Sequence, residues 1–336
     1  MEGMKAGLVG FGTVGSSFFR LMRENGALLP QKLGAAVSVT CIAEKDPAKV
    51  SDPEARRLLV SDYQRIIADP EVSVVVELVG GTGVAYQIIR SALEAGKHVV
   101  TANKALLALK GDELFTLARR KAVALKFEAA VCGGIPIIKA VREGFVGNRL
   151  SKIMGIVNGT SNFILTQMKE RGLSFPQALA EAQAKGFAEA DPTLDVGGGD
   201  SAHKISLLAS LAFGGWVDYR EILVEGIASL TPGEIEFAGS AGFVIKLIAS
   251  AMLVDGLPAV TVFPALVPAE HPLALVRNEV NAVFVDASGL AFIDITAPPA
   301  PNGGTPLAAA EPPPGDALRV PDEVRSALAA GPPAGQ

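Results

Sequence analysis

The chain predicts an α/β fold built on a doubly wound parallel sheet, joined to a second half of different character. Three observations carry this. Short apolar runs alternate with helical periodicity through the first third, the order of βαβ units. A glycine-rich turn, Gly10-Phe-Gly-Thr-Val-Gly15, separates the first apolar run from the first helical one. Further on, an otherwise apolar chain gathers Glu189, Asp191, Asp195, Asp200 and Lys204 into one loop and the helix start that follows it.

The elements follow in order. Met4–Val9 is a short apolar run, as a buried parallel strand should be. Helical spacing covers 16–24, and Val37–Ala43 reads as a second strand. A near-continuous valine-rich run makes 72–79 a third strand. Residues 84–95 are helical, with Gly96 as the stop signal. His98–Thr101 is a fourth strand, 106–121 a helix, and 122–129 a fifth strand. Beyond it the spacing predicts a helix over 137–145, a strand over 150–157 and a polar turn Asn158-Gly-Thr-Ser-Asn162. Thr160 or Ser161 would cap the helix opening there. Helices over 175–185 and 201–213 come next.

Composition bounds the function. The chain has 336 residues, enough for two domains of ~100–200 residues each. A net charge of −5 leaves no basic surplus for nucleic acid. Two cysteines, Cys41 and Cys132, and three scattered histidines have no metal-ligand spacing. The stretch 243–254 is apolar but interrupted by Lys246, and it is too short for the ~20 residues a membrane span needs. The opening strand leaves no leader peptide, so a cytoplasmic protein is expected. The expected division is a dinucleotide-binding domain over 1–132, a substrate and dimerisation domain over 133–292, and a proline- and glycine-rich tail over 293–336. That tail should be poorly ordered, with one possible helix over 322–330.

The turn glycines sit where a Rossmann-type dinucleotide site needs them. Gly10 permits the tight turn, Gly12 lets backbone approach a pyrophosphate, and Gly15 allows close helix–strand packing. At the end of the second strand, Glu44-Lys45-Asp46 offers acids for the ribose hydroxyl of NAD and Lys45 for the 2′-phosphate of NADP. Two further strand ends, Glu77-Leu-Val-Gly-Gly-Thr82 and Thr101-Ala-Asn-Lys104, lie where open α/β sheets bind ligands, so Thr101 and Lys104 are cofactor-side candidates. A lysine at a helix start opposes the dipole, so Lys104 should meet an anion. Asp200 and Lys204 are four apart at the start of an apolar helix, on one face and within reach of each other.

These motifs, with Gly133-Gly-Ile-Pro-Ile-Ile138 and Asn158-Gly-Thr-Ser-Asn-Phe-Ile-Leu165, resemble the homoserine dehydrogenase family over roughly residues 5–287. The family signature is matched by Ala182, Gly186, Asp191, Pro192, Asp195, Val196, Gly198, Asp200 and Lys204. The resemblance implies reduction of L-aspartate 4-semialdehyde to L-homoserine with NADPH or NADH, on the route to threonine, methionine and isoleucine. It implies Lys204 as proton donor and acceptor, Lys104 as a second active-site lysine, and Glu189 and Asp200 as holders of the substrate amine and the catalytic lysine. It implies cofactor contacts at Phe11, Thr13, Val14 and Lys104, and a sodium site at Glu128, Val131, Gly133 and Ile135. It also implies a homodimer. Asp191 and Asp195 are expected to be loop architecture. The match should fade after Val283-Phe-Val-Asp286. An alternative is therefore a C-terminally altered homologue that folds and dimerises with little or no turnover.

Overall fold

The computed structural model describes residues 3–288 and the backbone of 290–297. The possible helix over 322–330 and the tail from 298 onward lie outside the described residues.

The first sheet holds β1 (Met4–Val9), β2 (Val37–Ala43), β3 (Leu59–Val60), β4 (Val74–Glu77), β5 (His98–Thr101) and β6 (Leu125–Lys126), in the order β3-β2-β1-β4-β5-β6. Every pairing in it is parallel. Strand order reverses between β1 and β4, which opens a crevice at their carboxyl ends. The two-residue β3 is too short to leave an apolar signature. The strand expected over 122–129 shrinks to Leu125–Lys126, because Ala122 turns at φ 54° and Glu128–Ala130 coils into a 3-10 turn.

The glycine loop shows why side chains are excluded. A Cβ on Gly15 would lie 2.1 Å from the carbonyl oxygen of Gly10, and one on Gly10 would lie 2.7 Å from the Leu78 carbonyl on β4's exit loop. Gly10 also sits at φ +96°, where L side chains are strained. A Cβ on Gly12 would meet nothing within 4 Å, so that face is open to an incoming ligand. The helix begins within the loop, over Thr13–Glu24, three residues before the expected start.

The second sheet is mixed. It holds β7 (Leu150–Ile156), β8 (Leu223–Val224), β9 (Phe243–Val254), β10 (Leu257–Pro268), β11 (Asn281–Ala287) and β12 (Leu290–Ala297), in the order β12-β11-β7-β9-β10-β8. Its pairings are antiparallel except β10 with β8. The apolar stretch 243–254 is β9. It returns as β10 through Asp255-Gly256, both at positive φ, the backbone a two-residue hairpin turn requires. Residues 293–297, assigned to the tail by their composition, instead continue strand β12 against β11.

Helices Gly159–Arg171 and Gly199–Phe213 pack on this sheet, and the latter also packs on helix Lys104–Arg120 from the first half. A single core runs through both halves, from Val75, Ile88 and Leu106 to Ile153, Leu207 and Val283. Trp216 lies flush on Gly111, where a Cβ would come within 2.6 Å of its ring. The helix expected over 137–145 is one turn, Ile137–Lys139, that widens into a π turn over Ala140–Gly144.

Gly15→Ala should force the loop off its helix. Overpacking of this kind costs ~1–3 kcal/mol. A lowered melting temperature together with weakened binding of the dinucleotide is the expected result, read by thermal denaturation with and without cofactor.

Candidate active site

The site is built around Asp200. Helix Gly199–Phe213 starts at Gly198, which takes φ +85°, so Asp200 falls in the first turn, where the dipole favours an anion. Its side chain is 4% exposed. Lys204, one turn on, donates from Nζ to Asp200 Oδ2 at 2.6 Å and to the carbonyl of Val157 at 2.6 Å. Lys104 arrives from the first half, with Nζ 3.1 Å from Asp200 Oδ1. The anion beside this helix start is thus a carboxylate of the protein itself. Asn158 Nδ2 donates to Asp200 Oδ2 at 2.8 Å and to Asp195 Oδ1 at 2.7 Å.

One carboxylate thus serves two ammonium groups. Burial alone would raise Asp200, but Lys204 and Lys104, with the hydrogen bonds from Lys204 and Asn158, hold it far below the ordinary carboxylate range. Burial pulls Lys204 down, and Asp200 outweighs it, so the ammonium is held above its usual value. A lysine in this setting carries its proton at neutral pH. Burial also raises Asp195 and pushes the Cys132 thiol up to about 12, so Cys132 stays a thiol. Both cysteines are buried and free.

A cavity of about 470 Å³ opens over this cluster, bounded by Lys104, Lys204, Asp195, Glu189, Glu279 and Asn281 among others. Glu189 is exposed at its edge. Asp191 does the turn work expected of it, accepting from the Thr193 amide and hydroxyl. Asp195 does not stay in the loop architecture. It is drawn into the cavity wall, because Asn158 bridges it to Asp200. Neither Thr160 nor Ser161 caps helix Gly159–Arg171. Asn158 does, accepting from the Ser161 amide at 2.8 Å, while Thr160 Oγ1 donates to the Phe187 carbonyl. Sequence reasoning missed Asn158, Glu279 and Asn281 as cavity residues. The polar run at 158–162 was the one visible signal.

On the cofactor side, several candidates hold the frame instead of facing the crevice. Phe11 is buried, packs edge-on against Phe19, and its amide donates to Glu44 Oε2 at 2.7 Å. The other oxygen of Glu44 accepts from the Asp46 amide, and Asp46 caps the turn at Ala48. Lys45 is exposed. Thr101 is buried, donates to Glu77 Oε2 at 2.6 Å and accepts from the Asn103 amide. Glu77 in turn accepts from the amides of Val79 and Gly80. Asn103 caps helix Lys104–Arg120 and reaches back to the Gly81 carbonyl at 2.7 Å, tying the two strand ends together. Val14 is an exposed valine in the first turn of helix Thr13–Glu24, beside Thr13 and Gly12. A groove of about 650 Å³ runs past Gly12 and Thr13 and carries Arg20 and Lys49 on its walls.

The turn over 128–135 brings Glu128, Val131, Gly133 and Ile135 together. The Glu128 carboxylate is taken by the amides of Ile138 and Lys139 at 2.9 and 3.0 Å. The turn is tight, with Cys132 at φ 48° and Gly134 at φ 96°. Among the described residues no group of three or more His, Cys, Asp or Glu could hold a metal ion.

Residues 10–128 match the homoserine dehydrogenase NAD-binding domain, and residues 136–309 match the homoserine dehydrogenase family. The chain belongs to the homoserine dehydrogenase family. The second match runs past Asp286, further than the sequence resemblance was expected to reach. Homoserine dehydrogenase from Pseudomonas aeruginosa is 43% identical, over 86% of this chain and 67% of that protein. The enzyme from Neisseria gonorrhoeae is also 43% identical, over 85% and 66%. The chain therefore spans about two thirds of these relatives. The crystal structure of a homoserine dehydrogenase from Thiobacillus denitrificans superimposes with a TM-score of 0.84 at 39% identity, over 89% of this chain and 70% of that one. One from Staphylococcus aureus gives 0.78 at 34%, over 90% and 73%. The family is one of NAD(P)-dependent oxidoreductases that act on a CH–OH group, and the two halves of this chain carry its nucleotide and catalytic modules.

Asp200→Asn should destabilise the fold, since removing one partner of a buried ion cluster costs ~3–5 kcal/mol. The sign with pH follows from the depressed carboxyl. Its stabilisation is fully present above the unfolded carboxylate value of ~4 and is lost as pH falls towards the folded one. The melting-temperature gap between wild type and Asp200→Asn should therefore close as pH drops below that value.

Proposed function

We propose that the chain interconverts L-homoserine and L-aspartate 4-semialdehyde, with Lys204 moving the proton. The observation that carries this is the Lys204–Asp200–Lys104 cluster at the floor of a cavity of substrate size. A bound nicotinamide supplies or takes the hydride. When an aldehyde carbon gains a hydride its oxygen becomes an alkoxide, and the Lys204 ammonium is placed to donate the proton. Lys104 adds a second positive charge against the developing oxyanion. Asp200 and the Val157 carbonyl take two of the three Lys204 donors and leave one for the substrate. Asp200 thus orients the lysine and keeps it charged. Glu189 on the cavity edge has the charge to receive the substrate ammonium.

The reading favours NADP over NAD. Both oxygens of Glu44 accept backbone amides, which ties its carboxylate to the strand-end loops. Lys45 is exposed beside them, and Arg20 and Lys49 line the adjoining groove. A sodium ion on the carbonyls of the 128–135 turn, a homodimer and a cytoplasmic location complete the reading. Exposed Leu257, Phe263 and Leu266 on β10 offer apolar surface for a second copy to cover. Among the described residues no helix is long and apolar enough to cross a membrane.

The test is turnover of L-homoserine with NAD and NADP in parallel, followed by nicotinamide absorbance. Lys204→Ala should lose ~10²–10⁴ in kcat, the usual worth of a positioned acid–base group, while still binding NADP. Near-normal turnover in that variant would sink the assignment. Homoserine oxidation needs Lys204 neutral, so its rate should climb with pH into the alkaline range, and Asp200→Asn should move that climb to lower pH. Lys45→Glu should raise the KM for NADP while sparing that for NAD.

A further inference from the structure

One residue of the cavity lining ends in an acceptor that no protein group satisfies. Asn281 opens β11, is 4% exposed, and lines the catalytic cavity. Its Oδ1 is buried and has no hydrogen-bond partner. A buried acceptor left unpaired costs free energy, and natural proteins keep few of them. Because Asn281 also lines the ligand cavity, a ligand seated there is the candidate for the missing donor.

The residue is also held where a binding group needs to be held. Immediately before it, the loop Val276–Val280 passes through a left-handed residue, Asn278, at φ 54°. Asn162, 1% exposed in the first turn of helix Gly159–Arg171, donates its Nδ2 hydrogens among the carbonyls of Val276, Asn278 and Val280. Lys246 of β9, 3% exposed, donates to Asn162 Oδ1 at 2.9 Å and to the Val276 carbonyl. That contact fixes which end of the Asn162 amide is oxygen. Thr166 accepts from the Asn278 amide. The interruption in the apolar run at Lys246 therefore has a use: a buried ammonium clamps the loop that delivers Glu279 and Asn281 to the cavity. Effort of this kind, behind an atom that pairs with nothing, fits a binding role better than a packing one.

Of the donors a small amino acid can bring, the ammonium suits this wall. The cavity also carries the carboxylates of Glu189, Glu279 and Asp195, whereas the reacting oxygen belongs with Lys104 and Lys204. Resting on the reaction proposed above, we propose that Asn281 Oδ1 accepts a hydrogen bond from the α-ammonium of the substrate, beside Glu189, and that the Asn162–Lys246 clamp positions it.

The experiment compares Asn281→Leu, which has similar volume and no acceptor, with Asn281→Asp, which keeps one. Wild-type turnover of L-homoserine with NADP is the control for the reaction itself. If the wild type does not turn over, the functional reading fails, whatever the variants do. Given wild-type turnover, Asn281→Leu should raise the KM for homoserine roughly 10-fold or more, the worth of a hydrogen bond to a charged group. The KM for NADP should hold. Asn281→Asp should stay within about 3-fold of wild type, as a retained acceptor predicts. Inhibition by 4-hydroxybutyrate, which lacks the amine, should be the same in wild type and Asn281→Leu. Thermal denaturation without ligand separates this from a structural role: Asn281→Leu removes an unpaired polar atom, so its melting temperature should match or exceed wild type. An unchanged homoserine KM in a folded Asn281→Leu protein overturns the proposal. So does equal damage in Asn281→Asp, or a melting temperature that falls with the affinity.

Discussion

Everything in the catalytic half refers back to one carboxylate that water barely reaches. Asp200 is bonded on one side by Lys204 and Asn158 and on the other by Lys104. Each partner comes from a different element: Lys204 from the same helix, Asn158 from the end of β7's exit loop, Lys104 from the start of helix Lys104–Arg120. The cluster therefore acts as a structural join as well as a chemical one. Asp195, bridged to Asp200 through Asn158, brings a second carboxyl group beside the two lysines.

The nucleotide half uses its acids differently. Glu77 receives three backbone or hydroxyl donors and Glu44 two, all from strand ends and the loops beside them. They preset the loop conformation before any ligand enters, so less ordering remains to be done on binding. Thr101 and Phe11 belong to this scaffolding by the same committed polar groups and burial.

Legibility in the sequence followed the range of the interaction. Gly10 and Gly15 were readable because part of their constraint is local: Gly10 takes a positive φ, and Gly15 meets the Gly10 carbonyl. Asp200 and Lys204 were readable because helical spacing alone brings them together. The parallel sheet followed from apolar runs, except β3, which is only two residues long. Asp195 and Asp191 look alike in sequence, and only the Asn158 bridge separates their roles. Asn281 could not be found in advance. Its place in the cavity depends on β11 pairing with β7 and on a loop held by Asn162 and Lys246, residues 119 and 35 positions away. Lys246 itself showed only as a flaw in an apolar stretch. The sequence assigned 293–297 to the tail by composition, yet pairing with β11 kept them in the sheet.

Trp216 on Gly111 adds a mechanical point. Helix Lys104–Arg120 and helix Gly199–Phe213 touch through Lys104 and Asp200 near their first turns, and through Gly111 and the tryptophan just past the end of the second helix. Two rods joined at two separated places resist scissoring, and the loop carrying Glu279 is itself clamped by Asn162 and Lys246, so this side of the cavity is held on both counts. The protein's single tryptophan is then a built-in optical gauge of whether the pinned pair has slipped.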